Sequence, residues 1–388
     1  MSISADASDR TCDFCLSSLL GVSYTPLGSA RGALVFVCPD CGLCQSKYTT
    51  DRSERHAPST SSQANWGNIR HGKGLRLDSI WPNLSKQIMA LPDSARILDI
   101  GANRGDFLQR VFSVRPDLEL VGVEPDEDLI EQLNMLLPYA KIVNERFENW
   151  HDVQDFDFIL CLHTLEHASS ALSMLCGIAQ LLNSKGLAYI EVPSLNFISN
   201  PAIVEEFFID KHSFHFDIES LNMGLSLSGL RVEAEWGDHA NLGLLVSPDS
   251  ATRTVSNRES ASVLDLIRHY DRQYKSNTAL LGSVSGLIQD LVNRQRTCIW
   301  GAGRIFDSIS RSGTWEASDF LLVDNYLSRY LDSVHGIRLE NSKSIPAFDP
   351  QVILLLTGSA TASILRELNS LGYRHVITFP DLLQMASE

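Results

Sequence analysis

Two pairs of cysteines, Cys12-x-x-Cys15 and Cys38-x-x-Cys41, stand 22 residues apart near the start of a 388-residue chain. Each spacing lets one tight turn aim two thiolates at the same point, and two such turns complete a tetrahedral sphere. Pro39 stiffens the second turn, and Gly42 supplies the positive φ often needed after the second ligand. Four thiolates close the sphere, so the expected site is structural, with Zn2+ the favoured ion and iron the alternative. Cys44 reads as a packed neighbour of the knuckle, and Cys161, Cys176 and Cys298 as core residues.

A second constellation begins at Asp99-Ile100-Gly101-Ala102-Asn103-Arg104-Gly105. An apolar strand runs into a glycine-punctuated turn, and the next apolar run, 118–123, ends on Glu124. Gly101 and Gly105 are expected to let the backbone approach a ligand closely, with Asn103 between them. Asp99 is placed to meet an ammonium, and Glu124 to accept hydrogen bonds from both hydroxyls of a ribose. The loop reads GxNxG and not GxGxxG, which favours S-adenosylmethionine over NAD as the nucleoside. Histidine titrates near neutral pH, and three histidines are candidate bases: His212 first, then His215 and His163. Lys211 is a candidate holder of an acceptor phosphate or carboxylate. Arg70, Lys73 and Arg76, interleaved with Gly72 and Gly74, form a basic run that can wrap a diphosphate.

The elements that must position these groups alternate. Strand-like runs at 97–100, 118–123, 141–144, 156–162 and 186–192 are separated by helical stretches, which implies a parallel sheet covered on both faces. Runs at 230–235 and 242–246 suit an antiparallel edge. Helices are expected over 261–274 and 279–294, followed by a second alternating unit from Thr297. The expected division is a zinc module over 1–48, a linker or active-site loop over 49–76, a central domain over 77–248, linker and helices over 249–296, and a smaller Rossmann-like α/β domain over 297–388.

Residues 97–247 resemble a class I S-adenosylmethionine-dependent methyltransferase. Phe156-Asp157-Phe158-Ile159-Leu160 leading to Leu165-Glu166-His167, and the run from Leu182 to Pro193, carry the likeness together with the glycine loop. The resemblance implies that Phe147 lies by the adenine and that Leu162 and His163 face the sulfonium or the acceptor. The three-part layout, with Cys38-Pro39-Asp40-Cys41-Gly42 and Ile299-Trp300-Gly301-Ala302-Gly303, resembles the zinc-containing sugar C-methyltransferases of deoxysugar biosynthesis. It implies a nucleotide-linked sugar as acceptor. His212 matches the histidine of that group's Glu-His pair; Lys211 stands in place of the glutamate and Ile209 in place of a tyrosine.

A net charge of −15 argues against nucleic acid as partner. No apolar run has the length of a membrane span or marks a signal peptide, so the expected setting is cytoplasmic. Two other readings stay open: an NAD-dependent sugar-modifying enzyme using Gly301-Ala302-Gly303, and a non-catalytic binding module. Composition does not address the oligomeric state.

Overall fold

The computed structural model describes residues 10–50, 75–151, 155–250, 260–313, 320–329, 331–358 and 360–388. The elements follow in chain order: β1 (Ala33–Val37), β2 (Cys44–Tyr48), α1 (Leu75–Met89), β3 (Arg96–Ile100), α2 (Asp106–Val114), β4 (Glu119–Val123), α3 (Glu127–Leu136) and β5 (Ala140–Val143). Next come β6 (Phe156–Leu162), α4 (Ala171–Leu181), β7 (Leu182–Pro193), β8 (Phe214–His215), α5 (Ile218–Leu227), β9 (Leu230–Glu235), β10 (Asn241–Pro248) and α6 (Ala261–Arg294). The last stretch holds β11 (Thr297–Trp300), α7 (Arg304–Ser312), β12 (Leu321–Val323), β13 (Ser333–Val334), β14 (Ile337–Glu340), α8 (Ile345–Phe348), β15 (Val352–Leu355), α9 (Thr361–Ser370), β16 (Val376–Thr378) and α10 (Phe379–Ser387).

The central sheet has the order β5-β4-β3-β6-β7-β10-β9. Its first five strands are parallel, and β10 and β9 run antiparallel at one edge, as the sequence pattern implies. The middle strands are apolar on both faces because helices cover both: Ile97, Leu98, Phe158, Ile159 and Leu160 are all buried. Strand order reverses between β3 and β6. At such a reversal the connections leave to opposite sides, so a crevice opens at the carboxyl ends of the two strands. Gly101 directly follows β3, and His163 directly follows β6.

The N-terminal hairpin pairs β1 with β2 from Ala33↔Tyr48 to Val37↔Cys44, and its turn carries Cys38 and Cys41. A third strand, β8, comes from more than 160 residues further along: Cys44 pairs with His215 and Gln45 with Phe214. The described parts of 10–50, 75–197 and 208–268 belong to one compact unit.

The second unit contains 198–207 and the described residues from 269 onward. Its sheet, β13-β14-β12-β11-β15-β16, is parallel except for β13. The two helices expected over 261–274 and 279–294 are one helix of 34 residues. The polar run at 275–278 contains no glycine or proline and does not break it. Thr278 Oγ1 instead donates back to the Tyr274 carbonyl at 2.7 Å. The Asn277 amide donates to the carbonyls of Pro201 and Ile203, each at 2.9 Å, and the residue is only 3% exposed. Asn277→Ala removes the donor from two carbonyls at once and is expected to destabilise this unit by about 1–3 kcal/mol, read as a lower denaturation midpoint.

Candidate active site

The loop after β3 turns three times through left-handed backbone: Gly101 at φ 76°, Asn103 at φ 48° and Gly105 at φ 77°. Asparagine is among the few residues with a side chain that tolerate this region. The reason for the two glycines differs from the one expected. A Cβ on Gly101 would strike the Thr164 hydroxyl, and one on Gly105 would strike Leu137. The glycines are therefore required by φ and by packing against the protein itself. The hydroxyl of Thr164 donates to the Ile100 carbonyl at 3.0 Å, which ties the loop after β6 to the end of β3.

Glu124, 7% exposed at the end of β4, is held from both sides. Its Oε2 accepts from the Asn103 N–H at 2.8 Å and its Oε1 from the Asp126 N–H at 2.9 Å. Each oxygen keeps a further lone pair for a ligand hydroxyl. Burial raises its pKa, against the pull of those two amides. Asp99 is also buried, and its carboxyl is pushed up to about 8, first by burial and then by the charges of Glu124 and Asp106. A crowded set of carboxylates at the mouth of this crevice suits a cationic ligand. The donor set thus fits the ammonium and ribose that the sequence pattern implies.

Across the crevice, β6 and β7 present an imidazole–carboxylate cluster. His163 takes a left-handed φ of 51°, and its backbone N–H donates to the Glu191 carbonyl at 2.8 Å. Its Nδ1 lies 3.2 Å from Glu166 Oε1 and its Nε2 lies 3.2 Å from Glu191 Oε1. Tyr189 Oη in turn donates to Glu191 Oε2 at 2.6 Å. Glu166 is 1% exposed. Burial opposes its ionisation, but His163, His167 and His212 together hold its carboxyl well below the usual range. His167 and His212 meet edge to face with ring centroids 4.9 Å apart. Burial and then the neighbouring His167 lower the pKa of His212 well below the usual histidine value, so its ring is neutral at pH 7.

His212 reaches this cluster because the cysteine hairpin holds its loop. The Asp210 carboxylate accepts from the Ser29 hydroxyl, from the Ala30 N–H at 2.7 Å and from the Arg31 N–H at 3.2 Å. Arg31 Nη1 donates to the Asp210 carbonyl at 3.0 Å and its guanidinium stacks 3.7 Å over the Tyr48 ring. Tyr48 Oη donates to the His212 carbonyl at 2.9 Å. Behind the hairpin, the four thiols converge: Cys12–Cys41 and Cys15–Cys38 are each 3.4 Å apart, and all four sulfurs lie within 4.8 Å of one another. None is in a disulfide. Ligands of a tetrahedral zinc with Zn–S of about 2.3 Å stand about 3.8 Å apart, so the four sulfurs fit such an ion. The sulfurs of Cys12 and Cys41 pull the Cys38 thiol below its usual range, and the contact with Cys38 pushes Cys12 up.

Several expectations change. His215 is 2% exposed, its Nε2 lies 2.8 Å from Ser46 Oγ, and its ring packs edge-on against Phe208. Burial lowers its pKa to about 3, which favours the neutral ring. His163 has a carboxylate against each ring nitrogen, which makes it an orienting group. The Phe147 ring is 7% exposed and packs beside Trp150 and over Gly177 of α4. Leu162 ends β6 at the crevice. The side chain of Lys211 is exposed, but its carbonyl lies 2.7 Å from His167 Nδ1. Arg70 and Lys73 lie outside the described residues, and so does the side chain of Arg76. Glu166, His167 and Glu191 were not among the expected site residues, although Leu165-Glu166-His167 and the run from Leu182 to Pro193 carry the family likeness; the His163-x-x-Glu166-His167 interval is the signal for the first two.

A family model for a methyltransferase domain matches residues 75–235. The tRNA U34 carboxymethyltransferase of Helicobacter pylori is 30% identical over 125 residues, 29% of this chain and 47% of the relative. That of Aliarcobacter butzleri is 24% identical over 214 residues, 47% of this chain and 68% of the relative. The chain thus spans about half the length of the Helicobacter relative. A solved S-adenosylmethionine-dependent methyltransferase of Clostridium acetobutylicum is 11% identical with a TM-score of 0.38, covering 45% of this chain and 90% of that one. The match to a methyltransferase domain thus falls on residues 75–235, which contain the central sheet from β3 to β9.

The hairpin clamp can be loosened at one atom. Asp210→Asn turns an acceptor of several N–H and O–H groups into a part donor. It is expected to cost about 1.5–3 kcal/mol in denaturant unfolding of the first unit, with the class I sheet otherwise retained by circular dichroism.

Proposed function

We propose that the chain transfers a methyl group from S-adenosylmethionine to a small acceptor, a nucleotide-linked sugar, at carbon or oxygen. The observation that carries this reading is the placement of the imidazole–carboxylate cluster. Glu166, His167 and His212 stand at the end of β6, across the strand-order reversal from Asp99 and Glu124. One side of the crevice suits a cationic nucleoside; the other suits an acceptor that must lose a proton.

When bound, S-adenosylmethionine supplies an electrophilic methyl group. The chain's own residues do the rest. Glu124 accepts the ribose hydroxyls, and Asp99 faces the ammonium. Glu166 and Glu191 fix His163, and Glu166 with His167 and His212 forms the place where the acceptor's proton is drawn off. His212 is the histidine best placed for that step, because it is neutral and its loop is pinned. The four cysteines hold Zn2+ as a structural ion, in a setting that keeps them reduced, such as the cytoplasm. A second reading has an RNA nucleoside as acceptor, favoured by the names of the relatives and opposed by the net charge of −15.

Three outcomes follow. Glu124→Ala is expected to weaken cofactor binding in calorimetry by at least about tenfold, the worth of one good hydrogen bond to a charged group. Asp99 keeps its proton up to about pH 8 in the empty site. An ammonium favours its carboxylate, so binding below that pH expels a proton and affinity rises as the pH approaches 8. Calorimetry in buffers of different ionisation heat reads this release, and Asp99→Asn removes it. Mass spectrometry with methyl-labelled cofactor is expected to find the label on a nucleotide sugar; label on transfer RNA alone would select the second reading.

A further inference from the structure

We infer that Glu166, His167 and His212 form a binding site for a divalent transition-metal ion, distinct from the four-cysteine cage. The inference rests on the methyltransferase reading only for the ion's use, not for its binding.

The three residues offer two imidazole nitrogens and one carboxylate oxygen within 4.8 Å of one another. The protonation of His167 is fixed from outside. Its Nδ1 lies 2.7 Å from the Lys211 carbonyl, and a carbonyl only accepts, so Nδ1 carries the hydrogen. In the neutral ring Nε2 is then a bare lone pair, and it faces Glu166 Oε1 at 3.9 Å. In that tautomer the Nε2 lone pair and the Glu166 oxygen can both be offered to one cation placed between them. A proton does not bridge 3.9 Å, which is beyond hydrogen-bond reach. A metal ion does: ligands about 2.0–2.1 Å from a tetrahedral zinc stand about 3.4 Å apart, a closure of a few tenths of an ångström.

Glu166 supports the same conclusion. It is 1% exposed, and neither of its carboxylate oxygens accepts a hydrogen bond of good geometry among the described residues. Its close pairings are the ring nitrogens of His163 and His167. Both pairings fall on Oε1, so the buried Oε2 keeps its lone pairs for a further cation. The carbonyl behind His167 is the outer-shell partner that metal-bound histidines usually have, since it fixes the tautomer and raises the basicity of the other nitrogen. Two histidines and one carboxylate suit zinc, iron, cobalt or nickel, and leave coordination positions open.

In use, the ion would hold an oxygen of the acceptor. A keto oxygen so held would make the adjacent C–H more acidic, and a hydroxyl would lose its own O–H proton, in either case to solvent water. The carbon or oxygen left with the electron pair would take the methyl group as its bond to the sulfonium sulfur breaks. His212 and His167 then act as ligands, and the ion does the work otherwise asked of a free imidazole. The acceptor would be one that offers a keto or hydroxyl oxygen beside the methylated atom.

The test titrates Co2+ into the full chain after its four cysteines have been loaded with zinc, with visible absorption and calorimetry as readouts. The expected result is one further equivalent in the wild type. Glu166→Gln and His167→Gln are each expected to lose it, while their zinc content and S-adenosylmethionine affinity persist. No further equivalent in the wild type, or uptake undiminished in both variants, overturns the proposal. S-adenosylmethionine binding by the same samples tests the methyltransferase reading separately, because a chain that takes the second ion but not the cofactor would defeat that reading alone.

Discussion

The arrangement of the first unit depends on one carboxylate. Asp210 gathers the hydroxyl of Ser29 and the backbone amides of Ala30 and Arg31, and so fastens a loop that precedes β8 to a hairpin formed about 180 residues earlier. The placement of the His212 loop follows from that fastening. β8 joins β2, Ser46 donates to the Ser213 carbonyl at 2.8 Å, and Ser213 donates to the Glu166 carbonyl at 2.8 Å. His212 is thereby delivered to Glu166 and His167. A loop of this length and polarity has little reason to settle against a sheet by itself, since the entropy of ordering it must be offset by specific bonds.

The hairpin can bear that load because its own turn is tied at the other end. Four convergent thiols bring both knuckles together as a donor set that an ion would tie, and Cys12, Cys38 and Cys41 are fully buried. The module is small, and small modules gain rigidity from covalent or metal cross-links more than from apolar area. The central sheet holds Asp99 and Glu124, and His163 and Glu191 across the crevice, with no such device, because parallel strands buried on both faces are rigid already. Two different sources of stiffness thus meet at one crevice: packing under Asp99 and Glu124, and a knotted hairpin under His212.

How much of this was legible in the sequence depends on range. The cysteine knuckles and the Asp99–Glu124 pair were readable, because each rests on local spacing and on the alternation of strand and helix. The cluster was not readable, since Glu166, Glu191 and His212 lie on β7 and on the loops after β6 and before β8, and only the tertiary fold brings them together. The reasons behind residues were also hidden. Gly101 and Gly105 were read as room for a ligand, whereas Thr164 and Leu137 fill the space where their Cβ atoms would be. Phe147 and His215 have side-chain types that suit a site, and both are buried. The break expected inside α6 failed because polar residues without glycine or proline do not end a helix whose side chains bond back to it.

The central claim is that the cysteine hairpin positions the His212 loop. Amide hydrogen exchange over residues 209–216, compared between the wild type and Cys38→Ser, tests it directly. The account predicts that protection in this segment falls sharply in the variant while β3, β4 and β6 stay protected and S-adenosylmethionine still binds. Equal protection of the segment in both proteins, with the hairpin itself loosened, would contradict it.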